Sequence, residues 1–384
     1  MESINYTATC LFGLEKFLGE EIDELGYKRL ETIDGRVTFT GDITAVPRCN
    51  IRFRYAERLL INLGKFTALT FDELFNGVKN LPLENWIGKN NAFPVKGHSI
   101  KSKLFSIPDC QKIIKKAIVE RLKSKYNISY FMENEVKYQI EFFILNDIAT
   151  IMIDTSDVPL HKRGYRQQGG VAPLRETLAA ALVKIARPRN GVIFWDPMCG
   201  SGTIPIEAVL MMTNTAPGIN RNFHSEKYTQ IPVSVWKDAR EEALSLINDS
   251  IDFEVYASDI DPSCINTTNE NIYNANKKIN INKYIKTFTQ DALTIETNGR
   301  RGTIVCNPPY GERLYSAEQT EKLYRDMGDH FKTLDSWQIY ILSSHENFEK
   351  LYGKKADKVR KLYNGMIKCN YYQYFKKNDI ITDY

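Results

Sequence analysis

Residues 192–203, Val192-Ile193-Phe194-Trp195-Asp196-Pro197-Met198-Cys199-Gly200-Ser201-Gly202-Thr203, run from an apolar stretch into an acid and then a two-glycine turn. Four apolar residues in a row, Val192–Trp195, fit a strand covered on both faces, the habit of parallel sheets. Gly200 and Gly202 let the backbone turn tightly, and a helix is expected to start near Thr203. The same rhythm repeats downstream. Strand Phe253–Ser258 leads to Asp261-Pro262, an N-cap followed by a first-turn proline, and then a helix with Ile265, Ile272 and Ala275 on one side. Strands Tyr284–Thr289 and Thr303–Cys306, helix Glu318–Leu334 and strand Trp337–Leu342 follow, while helix Glu176–Ala186 precedes the quoted stretch and stops before Pro188. Two last runs, Lys358–Tyr363 and Met366–Phe375, flank Asn364-Gly365, a pair suited to a two-residue hairpin turn. Alternating strands and helices predict an α/β fold with a doubly wound parallel sheet that ends in an antiparallel hairpin.

The first half has a different character. Phe71–Tyr126 reads as a compact α/β unit whose helix follows Pro108 and turns Ile113, Ile114, Ala117, Ile118 and Leu122 inward. Lys112, Lys115, Lys116, Arg121 and Lys123 occupy its other faces. Phe93-Pro94-Val95-Lys96 and then Ser99, Lys101 and Lys103 look extended, and Tyr138–Leu145 with Ala149–Ile153 read as a hairpin turning at Asn146-Asp147. Residues 1–45 look like a small separate α/β piece. The polar segment Thr155–Pro173, with Gly164, Gly169 and Gly170, reads as the connection between halves. The expected division is 1–45, 46–155, a linker at 156–173, and 174–384.

With 384 residues, 43% hydrophobic and 26% charged, the chain has the balance of a globular protein of several domains. Its longest apolar block, Leu178–Val183, is far below the roughly 18 residues that span a bilayer. Glu2, Glu15, Glu20 and Glu21 stand where a secretory signal would carry basic residues, so none is expected. Seven scattered cysteines without a C-x-x-C pair argue against a disulfide scaffold and a zinc site, and fit the cytoplasm. No metal and no membrane association are expected, and no obligate protein partner is implied. The net charge of +4 conceals a division: residues 51–130 hold 15 basic and 6 acidic groups, and residues 161–190 hold 7 and 1. Residues 191–384 hold 23 and 25. Two basic blocks beside a near-neutral half are the footprint of a module that binds a polyanion.

Chemistry-bearing residues collect at the strand ends, where open α/β sheets bind ligands. Asp196 and the loop Pro197, Cys199, Gly200, Ser201, Gly202 and Thr203 form neither a dinucleotide fingerprint nor a P-loop. Asp259, followed by Ile260, ends the next strand and can accept both hydroxyls of a ribose, whereas Asp261 is accounted for as an N-cap. Asp291-Ala292 is a third acidic strand end, suited to the exocyclic amine of an adenine. Asn307-Pro308-Pro309-Tyr310 follows strand Thr303–Cys306. Two prolines fix the backbone, so that the Asn307 side-chain oxygen and the Pro308 carbonyl project as paired acceptors. Aimed at one amino group, they draw its hydrogens out of the base plane and free the nitrogen lone pair for in-line attack on a methyl group. Tyr310 offers a face on which a flipped base can stack.

This constellation resembles the S-adenosylmethionine-dependent methyltransferases of the Rossmann-like class I fold that modify exocyclic amines. More closely, it is similar to the bacterial THUMP-domain rRNA guanine-N2 methyltransferases, once labelled N6-adenine-specific DNA methylases. The match rests on Asp196–Thr203, on Asn307–Leu314, and on Phe71–Leu122 with Phe93-Pro94-Val95 and Gln111-Lys112…Lys116-Ala117-Ile118. It covers nearly the whole chain. The resemblance implies that a Rossmann-like sheet follows an α+β THUMP and ferredoxin-like region that grips structured RNA, 23S rRNA in that family. It further implies S-adenosyl-L-methionine as cofactor, its methionine part on Asp196 and Cys199–Thr203, its ribose on Asp259, its adenine at Asp291-Ala292. Asn307 and Pro308 would hold the target amine, and Lys96, Lys101, Lys103, Lys112 and Lys116 the RNA. Some relatives carry Asp in place of Asn307. An Asn cannot act as a charged base, which favours orienting the amine over proton abstraction.

The motif itself fits adenine N6, cytosine N4 and guanine N2 equally, so guanine comes from the resemblance. A DNA adenine methyltransferase shares the motif but should carry a DNA-reading insertion or a C-terminal domain. A non-catalytic RNA-binding protein would need none of Gly200, Gly202, Asp259 or Asn307. A THUMP-bearing thiolation enzyme should show a Ser-Gly-Gly pyrophosphatase loop, which is missing from this sequence.

Overall fold

The computed structural model describes residues 3–166, 174–309 and 316–376. Two seven-stranded sheets organise the chain. The first contains β1 (Ile4–Cys10), β2 (Lys28–Ile33), β3 (Arg36–Gly41), β4 (Ala56–Thr67), β5 (Val95–Ile100), β6 (Ile140–Leu145) and β7 (Ile148–Asp154), in the order β2-β3-β1-β4-β7-β6-β5. Four helices accompany it: α1 (Glu15–Glu24), α2 (Ala45–Arg52), α3 (Phe71–Lys79) and α4 (Ile107–Tyr126). The 12-residue β4 joins what the sequence suggested were separate pieces. It pairs with β1 from Tyr6↔Ile61 to Cys10↔Ala56, and with β7 from Leu60↔Asp154 to Thr67↔Ile148. Strands β1–β3 thus share one hydrogen-bonded sheet with β5–β7 through β4. The β6–β7 turn falls on Asn146 and Asp147, both left-handed at φ 50 and 64, as a two-residue hairpin loop requires. In α4, Ile114, Ala117, Ile118 and Leu122 are buried.

The second sheet contains β8 (Ile193–Asp196), β9 (Val255–Asp259), β10 (Ile285–Thr289), β11 (Gly302–Cys306), β12 (Trp337–Ser343), β13 (Lys358–Asn364) and β14 (Ile367–Tyr374). The order is β10-β9-β8-β11-β12-β14-β13. The first five strands are parallel and β14 is antiparallel to both its neighbours. Every residue of β8 and β11 is buried, which explains the apolar runs Ile193–Trp195 and Ile304–Cys306. The connections are α5 (Glu176–Ala186), α6 (Thr203–Met212), α7 (Val233–Ser245), α8 (Pro262–Ala275), α9 (Ala317–Phe331) and α10 (Phe348–Tyr352). Asp261 caps α8 by accepting the Ser263 N–H at 2.8 Å. The last hairpin turns one residue later than expected. Asn364 pairs with Ile367, leaving Gly365-Met366 as the loop, and the residue able to sit at φ 63 is Gly365.

The halves are fastened by partly buried ion pairs and by hydrogen bonds. Arg48 on α2 clasps Glu242 on α7 with two bonds of 2.8 Å. Arg54 donates to the carbonyls of Leu210 at 3.1 Å and Thr215 at 2.7 Å, and Glu57 accepts from Arg175 at 2.9 Å and Thr177 at 2.7 Å. Among the described residues the cysteines are not joined by disulfides. Among the described residues no helix is long and apolar enough to cross a membrane, and no cluster of His, Cys, Asp and Glu could hold a metal ion.

Candidate active site

The chain builds β8, β9 and β10 outward to one edge and then returns to lay β11 on the other side of β8. The connections after β8 and β11 lead in opposite directions along the sheet from this reversal, the place where open α/β sheets bind ligands. Asp196 ends β8, Asp259 ends β9, and Asn307 follows β11 directly, so three separate stretches of sequence meet at one rim of the sheet. Thr289 of β10 stands beside Asp259 in register, which brings Asp291 to the same rim.

The glycine loop is held from below. Gly200 and Gly202 have φ 53 and 74. The Gly200 N–H donates to Asp259 Oδ2 at 3.0 Å, and the Cys199 N–H to the Ser258 carbonyl at 3.0 Å. From α8, the Thr268 hydroxyl donates to the Gly200 carbonyl at 3.0 Å and Asn271 Nδ2 to the Ser201 carbonyl at 2.8 Å. A Cβ on Gly202 would stand 2.7 Å from Thr268 Cγ2 as well as in the left-handed region. Gly202→Ala is therefore expected to lower unfolding stability by about 1–3 kcal/mol, read from chemical denaturation, because backbone strain and the clash act together.

Each carboxylate is committed differently. Asp259 takes the Gly200 N–H on one oxygen and the Asp261 N–H, at 3.1 Å, on the other, with a lone pair left on each for a ligand hydroxyl. Ile260 beside it is 59% exposed, an apolar face open to a flat ring. Asp291 caps a single helical turn by accepting the Leu293 N–H at 2.9 Å, and Ala292 is buried beneath it. Asp196 is 1% exposed and accepts the Met198 N–H at 3.2 Å. Burial pushes its carboxyl well above the usual range, and the charge of Asp259 pushes the same way. Pro197 and Thr203 are buried, and the buried Cys199 thiol lies 3.5 Å from the Thr268 hydroxyl.

Asn307 is only half-buried as a residue, yet its Oδ1 is buried and has no hydrogen-bond partner among the described residues. An unpaired buried acceptor costs about 1–3 kcal/mol. The following prolines are braced by a residue that sequence reading missed. Tyr324, buried on α9, donates to or shares its hydroxyl with the Pro309 carbonyl and Ser343 Oγ, each at 3.1 Å. Tyr310 and the rest of the motif through Leu314 lie outside the described residues.

The segment His161–Arg166 is also tied to the site. His161 Nδ1 meets Glu57 at 2.6 Å, and the buried Arg163 donates to the carbonyls of Leu160 at 2.7 Å and Arg54 at 2.5 Å. Arg166 pairs with Glu176 at 2.8 Å and reaches Thr203 Oγ1 at 3.4 Å, at the start of α6. The run of basic residues was visible in the sequence; their partners, Glu57, Glu176 and Thr203, are too scattered to read. Residues 167–173 of the expected linker lie outside the described residues.

Of the five lysines, Lys96 on β5 is paired with Glu141 at 3.0 Å, and Lys112 lies 3.8 Å from Asp109 within α4. Lys116 faces the Phe75 ring at 5.8 Å. Lys101, at φ 49, and Lys103 stand in the loop between β5 and α4, close in sequence to Phe105, which is 80% exposed. An exposed aromatic among lysines was overlooked in the sequence. Lys115 and Arg121 are structural, paired with Glu133 at 2.6 Å and Glu84 at 2.7 Å.

Family models match three stretches: an RlmL ferredoxin-like domain over residues 5–60, a THUMP domain over 68–154, and an RMKL-like methyltransferase domain over 163–373. The Bacillus subtilis (strain 168) protein named "Putative RNA methyltransferase YpsC" is 43% identical over 380 residues, covering 98% of this chain and 97% of its own. "Ribosomal RNA large subunit methyltransferase K/L" of Shewanella sp. (strain W3-18-1) is 30% identical across 97% of this chain, which spans only 53% of that longer protein. Among solved structures, SMU.472 complexed with SAH superposes with a TM-score of 0.91 at 36% identity, covering 98% of this chain and 99% of its own.

Proposed function

Because this chain belongs to the family of RMKL-like methyltransferases that carry a THUMP domain and use S-adenosylmethionine, we propose that it methylates an exocyclic amine of a base in structured RNA, guanine N2 of large-subunit 23S rRNA. The observation that carries the reading is the buried, unpartnered Asn307 Oδ1 at the carboxyl end of β11, beside the rim that holds Asp196 and Asp259. The ribosomal substrate is supported by the K/L relatives' name, and guanine by the family resemblance.

S-adenosylmethionine, when bound, supplies a methyl group activated on a sulfonium. The residues present suit it: Asp259 has free lone pairs that would take a ribose, the exposed Ile260 would offer an apolar face to a flat ring, and the glycine loop would take the methionine part. Asn307 Oδ1 and the Pro308 carbonyl hold the two hydrogens of the target amine and turn its lone pair toward the methyl. Tyr324 keeps the second proline from drifting, and Tyr310 is assigned the stacking face for the flipped base. No strong base is needed, since the nitrogen becomes acidic only after it has attacked.

Two expectations follow from the charges. Burial and the charge of Asp259 raise the pKa of Asp196, and a cationic ammonium beside it would lower it again. Cofactor affinity should accordingly rise with pH until Asp196 is ionised in the free chain, with proton release visible in calorimetry in buffers of different ionisation enthalpy. Neutralising Lys101, Lys103, Lys112 and Lys116 together should weaken RNA binding and flatten its salt dependence while cofactor affinity stays the same. An unchanged salt slope would reduce them to a solvated face. The proposal as a whole is tested by digesting RNA treated with the enzyme and identifying the methylated nucleoside by mass spectrometry. N2-methylguanosine is expected; a methyl on ribose or on a ring carbon would contradict it.

A further inference from the structure

A cavity of about 470 Å³ opens between α1, the end of α5 and the β12–β14–β13 edge, and none of its lining residues belongs to the loops around Asp196, Asp259, Asp291 or Asn307. Lys16, Lys184, Arg187, Lys358 and Arg360 line it against a single acid, Glu20. Glu20 lies 3.9 Å from Lys16 on the same helix face, whereas Lys184, Arg187 and Lys358 make no ion pair among the described residues. Arg360 is fixed in advance, its guanidinium 4.3 Å above the Phe17 ring and bonded to the Gly13 carbonyl at 3.1 Å. The cavity wall also contains Gln373, 3% exposed, whose buried Nε2 has no partner among the described residues. A donor left unpaired at the wall of a cationic cavity is aimed at an acceptor that comes from outside. Phe375, 39% exposed and 6.1 Å from the Tyr340 ring, adds a flat apolar face.

We infer that this cavity is a second nucleotide site, separate from the cofactor crevice, which takes a phosphate on Arg187, Lys358 and Arg360 and stacks its base toward Phe375. Arginines match phosphate oxygens in a fork, aromatic faces accept any base, and roughly 300–1,000 Å³ is the usual range for a small-ligand site. The same chemistry is offered by a free mononucleotide and by one unit of an RNA strand. The assignment stands whether or not the crevice methylates RNA.

The test is calorimetry on the full chain saturated with S-adenosylhomocysteine, so that the cofactor crevice is filled, titrated with GMP, a short oligouridylate and uncharged guanosine. Wild type should bind a phosphorylated ligand saturably and guanosine far more weakly. Arg187→Gln with Lys358→Gln should weaken that binding by about tenfold or more, and S-adenosylhomocysteine affinity should not move. Gln373→Met preserves volume and removes the amide, so it should also weaken binding while the Tm holds or rises. Oligouridylate bound more tightly than GMP makes the occupant an RNA strand; GMP bound equally or better makes it a free nucleotide. Absence of saturable binding in wild type, or wild-type affinity in these variants, would overturn the site. A Gln373→Met chain that loses Tm would show that the amide serves the fold and would remove it from the assignment.

Discussion

Replacing Asn307 with alanine is expected to slow single-turnover methyl transfer by about 10²-fold or more, the size of effect seen when one preorganised polar contact at a reacting atom is lost. Folding should survive, because Asn307 Oδ1 has no partner among the described residues and its removal takes away a buried unsatisfied group. A large kinetic loss without loss of stability is the signature of an atom kept for the substrate. Asn307→Asp keeps an oxygen in place and should retain partial activity. Tyr310→Phe should be milder still, whereas Tyr310→Ala should be severe, since base–aromatic stacking is worth roughly 1–3 kcal/mol. An active Asn307→Ala enzyme would mean that the amine is held elsewhere, and the role given to the motif would have to be abandoned.

The second large effect is expected at Asp259. Asp259→Ala should weaken S-adenosylmethionine binding by roughly 1.5–3 kcal/mol, the loss for hydrogen bonds to a charged group. The structure adds a cause beyond the ribose: Asp259 Oδ2 also holds the Gly200 N–H at 3.0 Å, so alanine unties the glycine loop from β9. Asp259→Asn leaves one acceptor oxygen where Asp259 offers two, so it can hold the Gly200 N–H or the Asp261 N–H but not both, and its affinity should fall between wild type and Asp259→Ala. Unchanged calorimetric affinity in a folded Asp259→Ala chain would remove the assignment.

The strand ends were legible because each couples an apolar run to a residue that breaks it. Asp196, Asp259 and Asn307 stand at the ends of β8, β9 and β11, and Asp261-Pro262 announces α8 in the cap and first turn. The turn at Asn146-Asp147 was equally local. β4 was not read, because Arg58, Asn62 and Gly64 break its alternation and its length only makes sense once β1 and β7 lie on either side. α7 buries only Trp236, Ala239 and Ala243, too thin an apolar stripe to stand out, and it is held by packing and by Arg48 from far upstream. Tyr324 bracing Pro309, Asn271 holding Ser201 and Arg166 reaching Thr203 are likewise contacts that the fold creates between distant residues. Such supports carry no local signal. Chemistry at a strand end is written in neighbouring residues, while the scaffold that orients it is written in tertiary contacts.

The most direct measurement is methyl transfer from labelled S-adenosylmethionine to structured RNA and, in parallel, to duplex DNA, with wild-type chain and Asn307→Ala compared at equal concentration. Label is expected in RNA as an exocyclic N-methyl base, with little or none in DNA and a loss of about 10²-fold in the variant. Label carried mainly into duplex DNA, or RNA labelled equally well by Asn307→Ala, would contradict that expectation.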